Sequence, residues 1–487
     1  MLKNYFKVAF RNLLRNKTFS LINIVGLVGG MSTAVLILLW IYDEASFDEF
    51  HKNKDHLYEV WSRGEYDQQL QCWNSTPRIL GPTLVKDYAG IVNMTRTDSR
   101  WFVTVAGDKK VSSKALIADT SFLSMFSFPL MTGNQPGILN DKHSIVITEK
   151  MAKKMFGGKN ALQQTISIDN YNFTVAGILK DLPSNSRFDF EFLLPWNYAG
   201  ASGYGEQNWE NNSTNTFVQL TPNTAASTID AQIKDIARKH LNKKDADEVF
   251  LHPLSKWHLY SRFENGAISG GRIDEVRMFG IIAGFILLIA CINFMNLSTA
   301  RSEKRAKEVG IRKVTGAGKA SLVLQFIGES VIVAAIAGVL SMMLVHAILP
   351  AFSTLVNKPL SIPYENPGFW IAAVAFILIT GAIAGSYPAF FLSSFKPVVV
   401  LKGSFKRTQE WINPRKVLVV FQFGISIILI ICTIVVALQI RHAEKRNTGF
   451  QSQALLYHWN TGDLNKNFQS VKNALLNEGL AESVTRT

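Results

Sequence analysis

The sequence predicts an α-helical integral membrane protein with about five transmembrane helices and an α+β extracytoplasmic (periplasmic) domain between the first and second helices. Five apolar runs are long enough to cross a bilayer. The stretch between the first two runs changes to short β-rich segments separated by turn residues. The formal net charge of +14 indicates contact with anionic lipid headgroups. Because much of the basic excess lies beside apolar runs, no nucleic acid partner is expected.

The N-terminal segment, residues 1–20, predicts a basic amphipathic helix in the cytoplasmic interface of the membrane. The alternative is the basic start of a signal peptide. Against it, the following apolar run at 21–42 is long enough to span and is followed by no small-residue cleavage site. We therefore predict a first spanning helix at 21–42, in which Gly26, Gly29 and Gly30 permit close helix contact.

Residues 43–275 predict one extracytoplasmic α+β domain, since no apolar span interrupts them. Segment 144–157 predicts a strand followed by a helix, and 165–183 predicts a hairpin that turns at Asp169 and Asn170. A single helix is expected over 226–241.

This domain shows no sign of chemistry in its sequence. Its histidines never fall into a metal-ligand spacing such as HExxH, and no Ser or Cys lies in a nucleophile-elbow context. We expect surface histidines, no catalytic residue, no cofactor and no metal.

A short, very basic loop at 300–323 lies between two apolar runs, which places it in the cytoplasm. Within it, a set of charged residues recurs at helical spacing: Arg301, Arg305, Glu308 and Arg312. A glycine pair, Gly316 and Gly318, ends the run. The pattern favours a short helix under the membrane with a docking face. The alternative is that the charge only keeps the loop inside and needs no partner.

Residues 315–321, TGAGKAS, look like the tail of a phosphate-binding loop. A complete motif needs Gly where Lys313 stands and Ser or Thr where Ala320 stands. The sequence therefore predicts no nucleotide site in this loop, and a partner must handle any ATP.

Several motifs resemble the MacB/FtsX-type ABC transporter permeases. The segment 300–317, which contains KEVGIRKVTGA, is followed by QFIGES at 325–330. The strings IVITE at 145–149, GILKDLPSNSRF at 177–188 and GSYPAFFLSSFKPVVVLKG at 385–403 are also similar to that family. The resemblance implies that the loop docks on a separate ATPase subunit. The residues expected to carry this coupling are Arg301, Arg305, Glu308, Gly310, Ile311, Arg312, Lys313, Gly316 and Ala317.

The remaining segments complete the predicted topology. Residues 276–403 are expected to form an FtsX-like permease domain with spans at 278–297, 326–349 and 370–391. Residues 404–416 are expected to form a cytoplasmic linker, 417–438 a fifth span, and 439–487 the incomplete start of a second periplasmic domain. Compared with the family, the chain looks truncated in its second half. Glu329 is an ionisable residue within a predicted span and hence a candidate functional residue.

The expected function is that of a non-catalytic permease subunit in a bacterial inner membrane, which transmits the work of a partner ATPase to the periplasmic side. Export or extrusion of a drug, peptide or lipoprotein is expected. The alternative is a membrane-anchored sensor or regulator of a periplasmic protein such as a cell-wall hydrolase. Expected partners are a cytoplasmic ABC ATPase subunit, membrane lipids, a second permease subunit or second copy of the chain, and a periplasmic or outer-membrane protein.

Overall fold

The computed structural model describes residues 17–133, 137–169, 171–201, 208–300, 302–394, 414–446, 455–457, 464 and 466–486. The predicted amphipathic helix at 1–20 and the linker at 404–416 lie almost wholly outside the described residues. The chain divides into two units: a membrane unit, residues 1–43 with 275–451, and a second unit, residues 44–274 with 452–487. We refer to residues 44–274 as the insert.

The elements are numbered in chain order. The helices are α1 (Lys17–Ala45), α2 (Leu80–Asp87), α3 (Phe122–Met125), α4 (Glu149–Phe156), α5 (Trp196–Ala201), α6 (Ala226–Ile233), α7 (Ile236–Leu241), α8 (Leu254–Trp257), α9 (Arg272–Ala300), α10 (Ser302–Val314), α11 (Lys319–Leu355), α12 (Pro367–Ser393), α13 (Pro414–Lys445) and α14 (Phe468–Asn477). The strands are β1 (Leu57–Tyr66), β2 (Gln69–Trp73), β3 (Thr76–Pro77), β4 (Ile91–Ala106), β5 (Lys109–Ala118), β6 (Leu130–Thr132), β7 (Ser144–Thr148), β8 (Thr165–Ile168), β9 (Tyr171–Leu179), β10 (Phe192–Pro195), β11 (Asn212–Leu220), β12 (Glu248–Pro253), β13 (Arg262–Glu264) and β14 (Ala267–Gly270).

Among the described residues, five helices are long and apolar enough to cross a membrane: α1, α9, α11, α12 and α13. The predicted membrane class is confirmed. Each helix runs past the predicted span at both ends, because the apolar pattern marks the hydrocarbon crossing and not the helical turns beyond it. The span predicted at 326–349 was expected to end before Pro350, but Pro350 lies inside α11, which ends at Leu355.

Small residues let the spanning helices approach closely. Gly30 faces α9, since a Cβ on it would lie 2.4 Å from the Cβ of Ala290. Gly381 in α12 faces α11 in the same way, with a Cβ position 2.6 Å from the Cα of Val331. Such contacts suit membrane helices, which associate by packing because lipid supplies no hydrophobic drive between them.

The insert is built on a 12-stranded mixed sheet with the path β12-β1-β11-β4-β5-β10-β7-β9-β6. Neighbours β10 and β5, and β7 and β9, run parallel, while the other pairs along the path are antiparallel. Helices interleave with the strands, so the predicted α+β class is confirmed. The strand alternation seen in the sequence is visible in β9, where Phe173, Val175 and Leu179 are buried.

Local signals in the sequence correspond to local structure in the insert. Segment 144–157 folds as β7 and α4, because the Thr148 hydroxyl caps α4 by accepting a bond from the Met151 N–H. Segment 165–179 forms the hairpin β8–β9, although Asn170 lies outside the described residues. The single helix predicted over 226–241 is wrong. The segment forms two helices, α6 and α7. Between them, the Lys234 carbonyl accepts a hydrogen bond from the Val249 N–H of β12.

Candidate coupling helix

The basic loop folds as α10, which follows α9 and precedes α11. Its end is a Schellman turn: the Ala317 N–H donates to the Arg312 carbonyl over 2.9 Å, and the Gly316 N–H donates to the Lys313 carbonyl over 3.1 Å. Gly316 has φ +97°, which a residue with a Cβ adopts only with strain. Gly316 and Ala317 thus end α10 and set the direction in which α11 begins.

One face of α10 is buried against the ends of two spanning helices. Ala306 and Val309 are 0% and 1% exposed, and Gly310 is also buried. Val309 belongs to a cluster of buried apolar side chains from three helices: Val309, Leu322, Phe326, Ala389 and Leu392. Burial of this face holds α10 in place. Gly310 is thus buried within its own chain, and its part in coupling stays a prediction.

The rest of the described surface of α10 towards its C-terminal end is exposed and partly apolar. Ile311 is 57% exposed and Val314 is 65% exposed, and they are three residues apart on one side of the helix. The Glu308 side chain is 48% exposed. Two exposed aliphatic side chains on a basic helix form a candidate contact surface for another protein.

Arg312 is engaged within the chain. Its guanidinium donates from Nη2 to Glu308 Oε1 over 2.7 Å and from Nη1 to Gln325 Oε1 over 2.8 Å. Gln325 Nε2 in turn donates to Glu329 Oε1 over 3.1 Å. These four side chains form a continuous hydrogen-bonded chain from α10 into α11, which we call the relay. Helical spacing predicted that Glu308 and Arg312 share a side of α10, but it could not show that Arg312 also reaches α11.

Lys313 is also held internally, since its Nζ donates to the carbonyl of Ser393, the last residue of α12, over 2.6 Å. A cation at a helix C-terminus satisfies a carbonyl that has no partner within the helix and interacts favourably with the helix dipole. Arg301 lies outside the described residues, as does the side chain of Arg305. The helix α10 precedes TGAGKAS, and α11 begins at Lys319, so the strand of a phosphate-binding loop is not found there.

Glu329 is 9% exposed and Gln325 is 7% exposed. A carboxylate in a spanning helix is expensive unless other groups stabilise it, and here the Gln325 amide donates to it. Sequence reasoning singled out Glu329 but missed Gln325, because a lone glutamine in a helix is ordinary until its two partners are known.

A buried carboxylate ties together the two ends of the insert. Glu44 is fully buried, and its Oε1 accepts from Arg272 Nη1 over 3.2 Å, while its Oε2 lies 2.5 Å from His258 Nε2. Phe47 stacks on the His258 ring with centroids 3.6 Å apart. The two ends of the insert are therefore bonded to one another, which sequence patterns could not reveal because 228 positions separate Glu44 and Arg272.

A second buried ion pair lies within the insert. Glu59 is 0% exposed, and both of its oxygens accept from Arg187 over 2.5 Å. Burial raises the pKa of Glu59, and the bonds from Arg187 oppose that rise. The Arg187 guanidinium also lies 5.1 Å from the ring centroid of Trp257.

The expectation of surface histidines is wrong for two of them. His51 and His252 are each 1% exposed. Burial, with Arg187 and Lys256 nearby, lowers the pKa of His252 to about 4. Among the residues that the structure describes, no group of three or more His, Cys, Asp or Glu side chains is placed to hold a metal ion.

Comparison with known proteins gives two family matches. The model of the MacB-like periplasmic core domain matches residues 20–236, and the model of the FtsX-like permease C-terminal region matches residues 280–397.

Three curated relatives illustrate the similarity. The pyoverdine export ATP-binding/permease protein PvdT of Pseudomonas entomophila is 27% identical over 58% of this chain and 42% of its own length. The macrolide export ATP-binding/permease protein MacB of Bdellovibrio bacteriovorus is 26% identical over 53% of this chain and 38% of its own length. The uncharacterized ABC transporter permease YknZ of Bacillus subtilis is 24% identical over 60% of this chain and 66% of its own length. The chain thus spans less than half of the length of the first two relatives.

Two solved structures are also similar to part of this chain. A domain of a putative permease protein from Porphyromonas gingivalis is 23% identical, with a TM-score of 0.37, over 42% of this chain and 92% of that one. The periplasmic region of MacB from Actinobacillus actinomycetemcomitans is 15% identical, with a TM-score of 0.33, over 42% of this chain and 90% of that one.

Proposed function

The chain belongs to the MacB/FtsX-type ABC transporter permeases, and from that premise we propose that it is a non-catalytic transmembrane subunit on which a separate cytoplasmic ATPase docks through α10. The observation that carries this proposal is the division of α10 into two faces. One face is buried within the membrane unit, and the other presents Ile311 and Val314 to solvent.

The arrangement assigns different work to the residues expected at the coupling site. Ile311, Val314 and Glu308 are exposed enough to meet a partner. Arg312 and Lys313 instead fix α10 to the spanning helices. Charged contacts at an exposed rim contribute about 1 kcal/mol or less, whereas burial of an aliphatic side chain contributes about 1.5–3 kcal/mol. The two apolar side chains are therefore proposed as the main docking contacts.

The orientation and cargo are part of the same proposal. The excess of Lys and Arg in the short segments beside the spans supports an orientation with α10 in the cytoplasm and the insert in the periplasm of a bacterial inner membrane. Since two relatives are named for export of pyoverdine and of macrolides, the proposed work is export or extrusion of a drug, peptide or lipoprotein. ATP-driven movement of α10 would change the insert through the spanning helices.

Charge substitution on the exposed face tests the docking. The variant Ile311→Glu/Val314→Glu should lower recovery of the ATPase subunit with the tagged chain, purified from native membranes, by at least about tenfold. Leu355→Glu is the matched control, because Leu355 is 81% exposed at the opposite end of α11. Recovery equal to wild type in the α10 variant would overturn the proposal.

Insertion must be normal in both variants for this comparison. In a chain whose three native cysteines are replaced by alanine, an impermeant thiol reagent should label Trp101→Cys, at a position 59% exposed in the insert, but not Ile311→Cys in intact cells. Position 311 suits this test because its side chain is 57% exposed, whereas the neighbouring Gly310 is buried and would resist labelling on either side of the membrane.

A further inference from the structure

The relay contains two residues that docking does not explain. Gln325 and Glu329 are both more than nine-tenths buried, so neither can contact a partner protein. They lie one turn apart in α11, and the Gln325 amide bonds to the Glu329 carboxylate. A buried polar pair of this kind calls for a physical reason.

Gln325 can both accept and donate a hydrogen bond, which its place between Arg312 and Glu329 requires. Its carbonyl oxygen accepts from Arg312 Nη1 over 2.8 Å, while its amino group donates to Glu329 over 3.1 Å. An amide can do both at once, whereas a carboxylate at this position could not donate and an aliphatic side chain could do neither. The bond between Arg312 and Gln325 is the step that crosses from α10 to α11.

The turn of α11 that carries Glu329 is in turn locked to α12. A Cβ on Gly385 would lie 2.7 Å from the Cβ of Ser330, the residue after Glu329. Gly381 makes an equally close approach one turn along, at Val331. Lys313 adds a bond from α10 to the end of α12. A displacement of α10 therefore acts on α11 and α12 together, through its bonds to both helices.

We propose that Gln325 and Glu329 are positioning residues that make α10, α11 and α12 move as one body. The proposal rests on the docking of α10 and goes beyond it: the exposed side chains of α10 bind the partner, and the buried relay transmits the partner's movement into the membrane. Without the relay, α10 is held to α11 by apolar contacts and by the turn at 315–318, and it can rock when pushed.

Hydrogen–deuterium exchange of the full chain in lipid nanodiscs tests the relay with no partner present. Gln325→Leu should speed exchange of the α10 amides by at least about tenfold, the effect of losing hydrogen bonds to charged groups. The swap Gln325→Glu/Glu329→Gln should remain within about twofold of wild type. It keeps an acceptor for Arg312, a donor between the two positions and the same net charge.

Gln422→Leu is the matched control, since Gln422 lies in α13 and outside the relay. It should leave α10 exchange unchanged. Equal exchange in wild type and Gln325→Leu, or exchange in the swap variant as fast as in Gln325→Leu, would overturn the proposal.

A second measurement separates this proposal from the docking proposal. Gln325→Leu should retain wild-type recovery of the ATPase subunit, because the exposed face is intact, but lose the ATP-dependent change in exchange of the insert. If Ile311→Glu/Val314→Glu fails to lower recovery of the ATPase subunit, the docking proposal is refuted. The hydrogen–deuterium exchange of the α10 amides, measured with no partner present, still tests the relay. Wild-type ATP-dependent change in Gln325→Leu would refute transmission through the relay.

Discussion

Two adjacent glycines in α1 allow a controlled test of how the membrane unit is packed. Gly30 faces α9, and an alanine Cβ there would lie 2.4 Å from the Cβ of Ala290 and 3.6 Å from the Ile286 carbonyl oxygen. Gly29, one residue earlier, has no atom within 4 Å of its Cβ position. We expect Gly30→Ala to destabilise the helix pair and Gly29→Ala to leave it intact.

The magnitude follows from the size of the overlap. Two carbon atoms in good contact are about 3.5–4.0 Å apart, so the helices must separate by roughly 1 Å. Neither Cβ can rotate away, because the backbone fixes both. Separation loosens the cluster around Leu27, Met31 and Cys291, each at most 1% exposed. Overpacking of this kind costs about 1–3 kcal/mol. Both variants gain the same helix propensity of up to about 1 kcal/mol, so it cancels in the comparison.

The assay is titration of each variant with SDS in mixed micelles, followed by tryptophan fluorescence. The unfolding free energy of Gly30→Ala should lie about 1–3 kcal/mol below that of Gly29→Ala. Equal stability of the two variants would refute the assigned face of α1 and the close approach to α9.

Two further predictions concern buried charges in the insert. Arg187→Met should destabilise the insert by roughly 3–5 kcal/mol at pH 7, because it leaves the Glu59 carboxylate buried and unpaired. Since burial raises the pKa of Glu59, stability falls as pH rises through that pKa, so acidification should recover part of the loss. Hydrogen–deuterium exchange of the β1 amides measures both effects. The double variant Arg187→Met/Glu59→Gln should restore slow exchange at pH 7. A loss of stability in Arg187→Met that does not depend on pH would contradict the reasoning. His252 has its pKa lowered from 6.5 to about 4, so its contribution is intact above about pH 6.5 and is lost as pH falls toward 4. At about 1.36 kcal/mol per pH unit the loss totals about 3 kcal/mol. His252→Gln should remove that part of the pH dependence of thermal unfolding, and an unchanged profile would count against the assignment.

The sequence by itself determined the class of this protein. Long apolar runs identified the spanning helices, because every backbone polar group in lipid must be bonded within its own helix. Local sequence patterns were enough to predict a strand and helix at 144–157, now β7 and α4, and the β8–β9 hairpin, since such patterns act over a few residues. The motifs KEVGIRKVTGA and QFIGES were enough to indicate the family.

Only the tertiary structure decided which side of each element is used. Helical spacing grouped Glu308 with Arg312 but could not show that α10 buries Val309 and Gly310 and exposes Ile311. It grouped Gly29 with Gly30 as small residues, although only Gly30 meets α9 closely. Periodicity is a property of one element, whereas the face that is buried depends on a partner element elsewhere in the chain.

Long-range charge pairs were invisible for the same reason. Glu44 and Arg272, or Glu59 and Arg187, are ordinary charged residues until the fold brings them together and buries the two carboxylates. The buried state of His252 likewise follows from the packing of β12 against β1. Desolvation, which sets the energies of all three groups, is created by the folded chain as a whole and is carried by no local pattern of residues.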